Sequence, residues 1–166
     1  MQSKIVNLKS ILSYQGLSSG YSFRGKIKNT DMIKSKYYLK SGDILFTGKG
    51  TNNFALVFKS KDDIPTIASS ALFVIKVDHS LANPDFVAWY INQSKVQNYF
   101  KTNEAGTYNT SINKTTLEET PIVLPSLEVQ SKIAKIANLH NQELAISNKI
   151  IELKNKLTTT QLLNIL

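Results

Sequence analysis

Apolar and polar residues alternate most regularly at the C-terminal end of the chain. From Ser126 to Leu166 there is neither Gly nor Pro, and aliphatic residues recur at the three- and four-residue spacing of an amphipathic helix. With Ile136, Glu143, Ile150 and Leu157 at a, and Leu139, Ile146, Leu153 and Thr160 at d, six of eight heptad core positions are aliphatic. A second ridge, Ile133, Ala137, Leu144 and Ile151, broadens the apolar face, so the helix is expected to meet more than one neighbour. Ser126 follows Pro125 and suits the N-cap, with Glu128 near the positive end of the helix dipole. A helix of about 40 residues reaches roughly 60 Å. The run Thr158-Thr159-Thr160 lowers helix propensity, so fraying is expected in the last turn. No equally long partner exists in these 166 residues, and pairing between chains through Ile136, Leu139, Ile146, Ile150, Leu153 and Leu157 is the expectation.

The first 125 residues follow a different rhythm of short β-rich runs separated by turns. Ile5–Leu8, Ile44–Phe46, Phe54–Phe58, Ala71–Val77 and Thr120–Pro125 read as strands. Gln15–Gly20 reads as a Gly/Ser loop, and Lys40-Ser41-Gly42-Asp43 and Gly48-Lys49-Gly50 as turns. At Asn83-Pro84 the pattern turns helical: Asn83 can cap, Pro84 suits the first turn, and Asp85–Asn92 follow as helix. A second short helix fits Ser94–Phe100, and the polar stretch Thr102–Lys114 reads as loop. The expected fold is α+β: residues 1–125 as a small curved β-sheet or partial barrel with short helices, and 126–166 as a long coiled-coil helix.

Composition adds one asymmetry. The net charge is +8, and ten of the twenty Lys/Arg residues lie in the first sixty residues against only Asp31 and Asp43. The rest of the chain is balanced, so the excess forms one basic region of the kind that a polyanion requires. A merely solubilising surface has the same composition. Without cysteine, disulfides and thiolate metal sites are excluded and a reducing, cytoplasmic setting is expected. No apolar h-region and no run of about 18 apolar residues suggests export or a membrane span.

Five ordered segments carry a family resemblance: Ser19-Gly20-Tyr21-Ser22-Phe23-Arg24-Gly25-Lys26-Ile27; Tyr38 to Gly50 with Gly42-Asp43-Ile44-Leu45; Asn83 to Asn92; Gly106-Thr107 with Ile112-Asn113 and Leu117-Glu118; and Pro121-Ile122-Val123-Leu124-Pro125-Ser126-Leu127-Glu128-Val129-Gln130-Ser131-Lys132-Ile133. Together they resemble the DNA-specificity (S) subunits of type I restriction–modification systems. That resemblance implies a target-recognition domain followed by a conserved spacer helix. Family members carry two such repeats, each reading one half of a split DNA site, with the two helices antiparallel. One repeat is seen here, so a half-subunit is expected, and two copies paired by their helices would rebuild the whole and read an interrupted palindrome. The resemblance implies double-stranded DNA, methyltransferase (M) subunits and a restriction (R) subunit as partners. S-adenosylmethionine, ATP and magnesium would belong to those partners, with no cofactor in this chain.

The same residues yield no catalytic signature. His79 and His140 are far apart, and each reads as a surface or packing residue. Asn83-Pro84-Asp85-Phe86 is similar to the Asn-Pro-Pro-Tyr/Phe motif of amino-methyltransferases, but Asp replaces the second Pro and no Gly-rich cofactor loop precedes it. Gly48-Lys49-Gly50-Thr51 lacks P-loop spacing. Pro84-Asp85 with Glu152-Leu153-Lys154 mimics a nuclease signature whose second part lies in the heptad helix. The expectation is a non-catalytic chain that recognises DNA. Arg24, Lys26, Lys28, Lys34 and Lys36 are candidates for phosphate contact. Thr47, Lys49, Thr51, Asn52 and Asn53, with Tyr108, Asn109, Thr110 and Asn113, are candidates for reading base edges, because Asn matches adenine and Arg or Lys matches guanine. Ordinary turn chemistry explains the same Asn, Thr and Gly residues. An oligomerising adaptor or decoy fragment that does not read DNA remains a reading from a different class.

Overall fold

The computed structural model describes residues 4–19, 34–50, 53–60, 65–103 and 111–165. Among the described residues, two antiparallel sheets and four α-helices make a mixed α/β body that ends in one long helix. A two-stranded ribbon pairs β1 (Lys4–Asn7) with β6 (Pro121–Leu124), so the two ends of the globular part close on each other. Asn7 and Lys9 both donate to the Glu119 carboxylate, fastening that closure. The second sheet has the order β2 (Leu12–Ser19), β5 (Leu72–Val77), β3 (Ile44–Thr47), β4 (Ala55–Val57).

Stretch 15–20 reads as loop from its Gly and Ser content, yet Leu17, Ser18 and Ser19 pair with Ile75, Val74 and Phe73. Register shifts between Leu12 and Leu17, a span that contains Gly16. The strand exists because β5 offers it a ladder; local propensity does not. The remaining differences are smaller. A 3-10 turn occupies Ser35–Tyr37, β4 is three residues long, and a short helix, α3 (Lys114–Glu118), ends the stretch read as loop.

Alternation along the strands builds the core. Ile44, Phe46, Ala55, Ile75 and Val77 are buried on the sheet, facing Phe86, Val87, Ile91, Val96 and Phe100 of α1 (Pro84–Ile91) and α2 (Ser94–Thr102). The Phe46 and Phe100 rings meet tilted at 51°, their centroids 5.2 Å apart. Each fully buried side chain of this size stabilises by about 1.5–3 kcal/mol. One charge is admitted: Asp43 Oδ2 accepts the Lys40 backbone N–H at 2.9 Å and the Lys76 ammonium at 2.6 Å, with both side chains about one-tenth exposed. β4 is an edge strand, and Asn92 covers its outer side at Ala55. The Asn92 amide accepts the Ala55 N–H at 2.8 Å and donates to the Ala55 carbonyl at 2.7 Å.

The long helix, α4 (Leu127–Leu163), follows the sequence expectation closely. Ser126 is the N-cap residue by position, but its side chain makes no capping hydrogen bond. The Thr158–Thr160 run stays helical, with Thr160 Oγ1 donating to the Lys156 carbonyl at 2.9 Å. Only Gln130 and Ala134 of α4 are buried; Ile133 and Ala137 are half-buried, and from Asn138 every described residue is exposed. Residues as far as Leu144 still line a groove against the body, and the 19 residues from Ala145 to Leu163 run on for roughly 28 Å. No described helix is long and apolar enough to cross a membrane.

Candidate nucleic-acid interface

Two polar segments, far apart in sequence, meet at the end of β3. Lys49 forms an antiparallel bridge with Ser111, and the Ile112 N–H donates to the Gly48 carbonyl at 2.7 Å. Gly48 permits this approach: a Cβ there would lie 2.7 Å from the Phe73 ring and 3.1 Å from the Ile112 carbonyl oxygen. Gly50 turns the chain with φ +85°, a conformation that side chains resist. Ile112 is buried and holds the second segment down.

The side chains predicted to read bases divide on this frame. Lys49 is exposed, without an ion-pair partner among the described residues. Thr47 is held by the backbone of Phe54, its hydroxyl accepting the N–H at 2.8 Å and donating to the carbonyl at 3.3 Å. Asn53 is buried, so it presents no edge to a ligand. Asn113 caps α3, its side-chain oxygen accepting the Thr116 N–H at 2.8 Å. Thr47 and Asn113 thus make local backbone hydrogen bonds of the kind turn chemistry predicts, and Asn53 is buried. Asn113→Ala is expected to cost about 1 kcal/mol of stability by denaturant titration while leaving DNA affinity per folded molecule unchanged. Of the predicted phosphate contacts, Lys34 and Lys36 are exposed beside the 3-10 turn, with Lys36 Nζ 5.1 Å from the Tyr37 ring centroid. Arg24, Lys26, Lys28, Thr51, Asn52, Tyr108, Asn109 and Thr110 lie outside the described residues.

Asn83 is a junction that its motif only half reveals. Its side chain caps α1, accepting from Asp85 N at 2.9 Å and Phe86 N at 3.2 Å, which confirms the helix-start reading of Asn83-Pro84. Its own N–H donates to Gln130 Oε1 at 2.8 Å. Gln130 is fully buried, and its Nε2 donates to the carbonyls of Pro125 at 2.9 Å and Leu81 at 3.2 Å. One amide thus satisfies three backbone groups and bolts α4 to the body. Sequence reasoning noticed Gln130 only as a letter in a motif; its buried role needs tertiary structure.

His79 packs near Gly42 and Pro84, and exposed His140 lies 3.8 Å from Glu143. Asp85 pairs with Lys59 at 3.2 Å and Glu152 with Lys149 at 2.9 Å, so the nuclease-like residues serve ordinary surface ion pairs. Among the described residues no cluster of His, Asp and Glu could hold a metal ion. Lys9 is held above its ordinary pKa by the hydrogen bond to Glu119, and Asp78 below its own by the Ser80 hydroxyl and N–H. Both are structural contacts.

All six predicted seam residues of α4, Ile136, Leu139, Ile146, Ile150, Leu153 and Leu157, are 47–67% exposed. The second ridge leads from Leu144 into a groove of about 520 Å³ between β4, α1 and α4, walled by Phe54, Leu56, Trp89, Ala137 and His140. Both surfaces lack a cover within the described chain.

A body with this sheet, this capped helix and this outgoing α4 agrees with a family model, the type I restriction modification DNA specificity domain, which matches residues 10–155. The chain belongs to the type I restriction–modification DNA-specificity family. A Methanocaldococcus jannaschii protein named as the specificity subunit of the type I restriction enzyme MjaX is 30% identical over 134 residues, covering 78% of this chain and 31% of its own. Among solved structures, the S subunit of a type I restriction–modification system from M. genitalium superposes with a TM-score of 0.66 at 15% identity, over 94% of this chain and 43% of that one. The HsdS subunit from Thermoanaerobacter tengcongensis gives 0.59 at 17%, over 87% and 43%. These likenesses establish the open curved sheet followed by a long helix as the specificity-subunit fold. The chain spans less than half of each of these relatives.

Proposed function

We propose that this chain is the DNA-reading unit of a type I restriction–modification specificity subunit, recognising one half of an interrupted site and directing methyltransferase and restriction subunits to it. The observation that carries the reading, within the family, is the Lys49–Ser111 bridge. It brings the described ends of the two polar segments, Lys49 and Ser111, side by side and leaves the Lys49 side chain exposed for phosphate or guanine. Lys34 and Lys36, with Arg24, Lys26 and Lys28 of the same basic third, add phosphate contacts that position the body on the duplex. The reading assigns this chain no catalysis. S-adenosylmethionine, ATP and magnesium act in the partner subunits. The exposed seam of α4 receives the helix of a second copy, and the ridge and groove at Leu144 offer a separate apolar surface to a methyltransferase subunit.

Binding to duplex DNA is expected to weaken steeply with salt, and Lys49→Ala should shallow the log–log slope by about one unit. Fluorescence anisotropy across a salt series measures both. Binding that is absent, or independent of salt, with the methyltransferase subunit present would favour the adaptor reading. Methylome sequencing with and without this gene beside its methyltransferase would show the target and whether it is symmetric.

A further inference from the structure

The seam contains one misfit. Glu143 occupies a core heptad position between Leu139 and Ile146, its side chain is 76% exposed, and its one ion contact among the described residues is His140 at 3.8 Å. Ten residues further on stands the seam residue Leu153, with Lys154 and Lys156 at the heptad positions on its two flanks; neither lysine has an ion-pair partner among the described residues. We infer that Glu143, meeting Lys154 and Lys156 of a second copy across the seam, fixes both the orientation and the register of the helix pair. This inference rests on the pairing proposed above.

Orientation follows from what Glu143 would face. In a parallel pair each a position meets its own counterpart, so two carboxylates would share a core layer and Lys149 would lie near Lys154 of the other helix. In an antiparallel pair, a meets d. One register then brings Ile136 opposite Thr160, Leu139 opposite Leu157, Glu143 opposite Leu153 and Ile146 opposite Ile150, with the twofold axis beside Asn148. Every seam aliphatic is used, and each layer occurs twice.

Hydrophobic matching alone does not choose that register. Sliding one copy by a heptad in one direction sets Ile136 opposite Leu153 and Leu139 opposite Ile150; sliding it the other way sets Ile146 opposite Leu157 and Ile150 opposite Leu153. Both alternatives keep a run of aliphatic layers. They differ at Glu143. In the first slide Glu143 meets Ile146 with Lys149 alone beside it. In the second it meets Thr160, flanked by Gln161 and Leu163. Only the middle register surrounds it with two lysines. The same register places the two Lys149 ammonium groups across the axis, but each is already held by both carboxylate oxygens of its own Glu152 at 2.9 Å. A charge inside a seam lowers its stability and excludes pairings that would bury it unmatched.

The chain contains no cysteine, so one introduced thiol reports the register directly. Ser147 lies on the flank nearest the axis and meets its own counterpart in this register alone. Ser147→Cys is expected to give a disulfide-linked dimer under mild oxidation. In that background Glu143→Lys should weaken dimerisation at least about tenfold by sedimentation. Lys154→Glu with Lys156→Glu should do likewise, and the triple reversal should restore most of the affinity. A dimer that does not cross-link through the introduced thiol, or whose reversals fail to compensate, overturns the inference and leaves pairing intact. A monomeric parent chain overturns the pairing itself and points to a helix from elsewhere as the partner.

Discussion

Glutamates placed at Ile146 and Leu153 are expected to leave the chain monomeric at concentrations where the parent pairs. Both positions lie on the proposed seam, and both side chains are more than half exposed in the single chain. Burial of each Ile or Leu contributes about 1.5–3 kcal/mol, and symmetry counts each substitution twice. The loss is therefore roughly 6 kcal/mol or more, about four orders of magnitude in dissociation constant. Glutamate is a good helix former, so the effect is not one of propensity. Light scattering and sedimentation would show the mass halved. Circular dichroism should also show reduced helicity, since the projecting part of α4 has no neighbour to pack on and isolated helices are marginal in water. An unchanged mass would remove the seam from the proposal.

The largest expected effect on folding lies at Gln130. Leucine there fits the volume but leaves the Asn83 N–H and the carbonyls of Leu81 and Pro125 buried without their partner. The expected cost is about 3 kcal/mol. Gln130→Glu should be no milder, because it replaces the amide donor with an oxygen aimed at two carbonyl oxygens. The single tryptophan, Trp89, stands in α1 beside α4, so denaturant titration by fluorescence reports the site. Limited proteolysis should cut Gln130→Leu between the body and α4 before the rest unfolds. Equal stability of variant and parent would mean that α4 is anchored by Ala134 and Ile133 alone.

These two positions mark what a sequence reveals and what it hides. Helix α4 was legible because its signal is local and repeated: aliphatic residues at fixed spacing with no Gly or Pro between them. The start of α1 was legible for a similar reason, as Asn-Pro caps a helix through contacts two and three residues away. Strand β2 was not, because its ladder is supplied by residues more than fifty positions later. Helix α3 contains two threonines of poor propensity and depends on the Asn113 cap and buried Leu117. The candidate interface was half legible. Sequence located both polar segments, but their junction is a long-range backbone pairing that no local pattern encodes. Nor could it separate exposed Lys49 from buried Asn53 or from Thr47, which is bound to the backbone of Phe54.

The bolt at Gln130 and the exposed length of α4 together set a mechanical tolerance. Beyond its anchorage the helix is a lever of roughly 40 Å. A tilt of about 5° at its root moves the far end by about 3.5 Å, close to the rise of one base pair. If two recognition units measure the gap between half-sites with these levers, counting base pairs correctly is a matter of angular stiffness at the fulcrum. That stiffness draws on one buried amide and the three backbone groups it holds, together with the packing of Ala134 and Ile133. A substitution that touches no DNA would then blur the spacing between the two recognised halves before it weakened recognition of either.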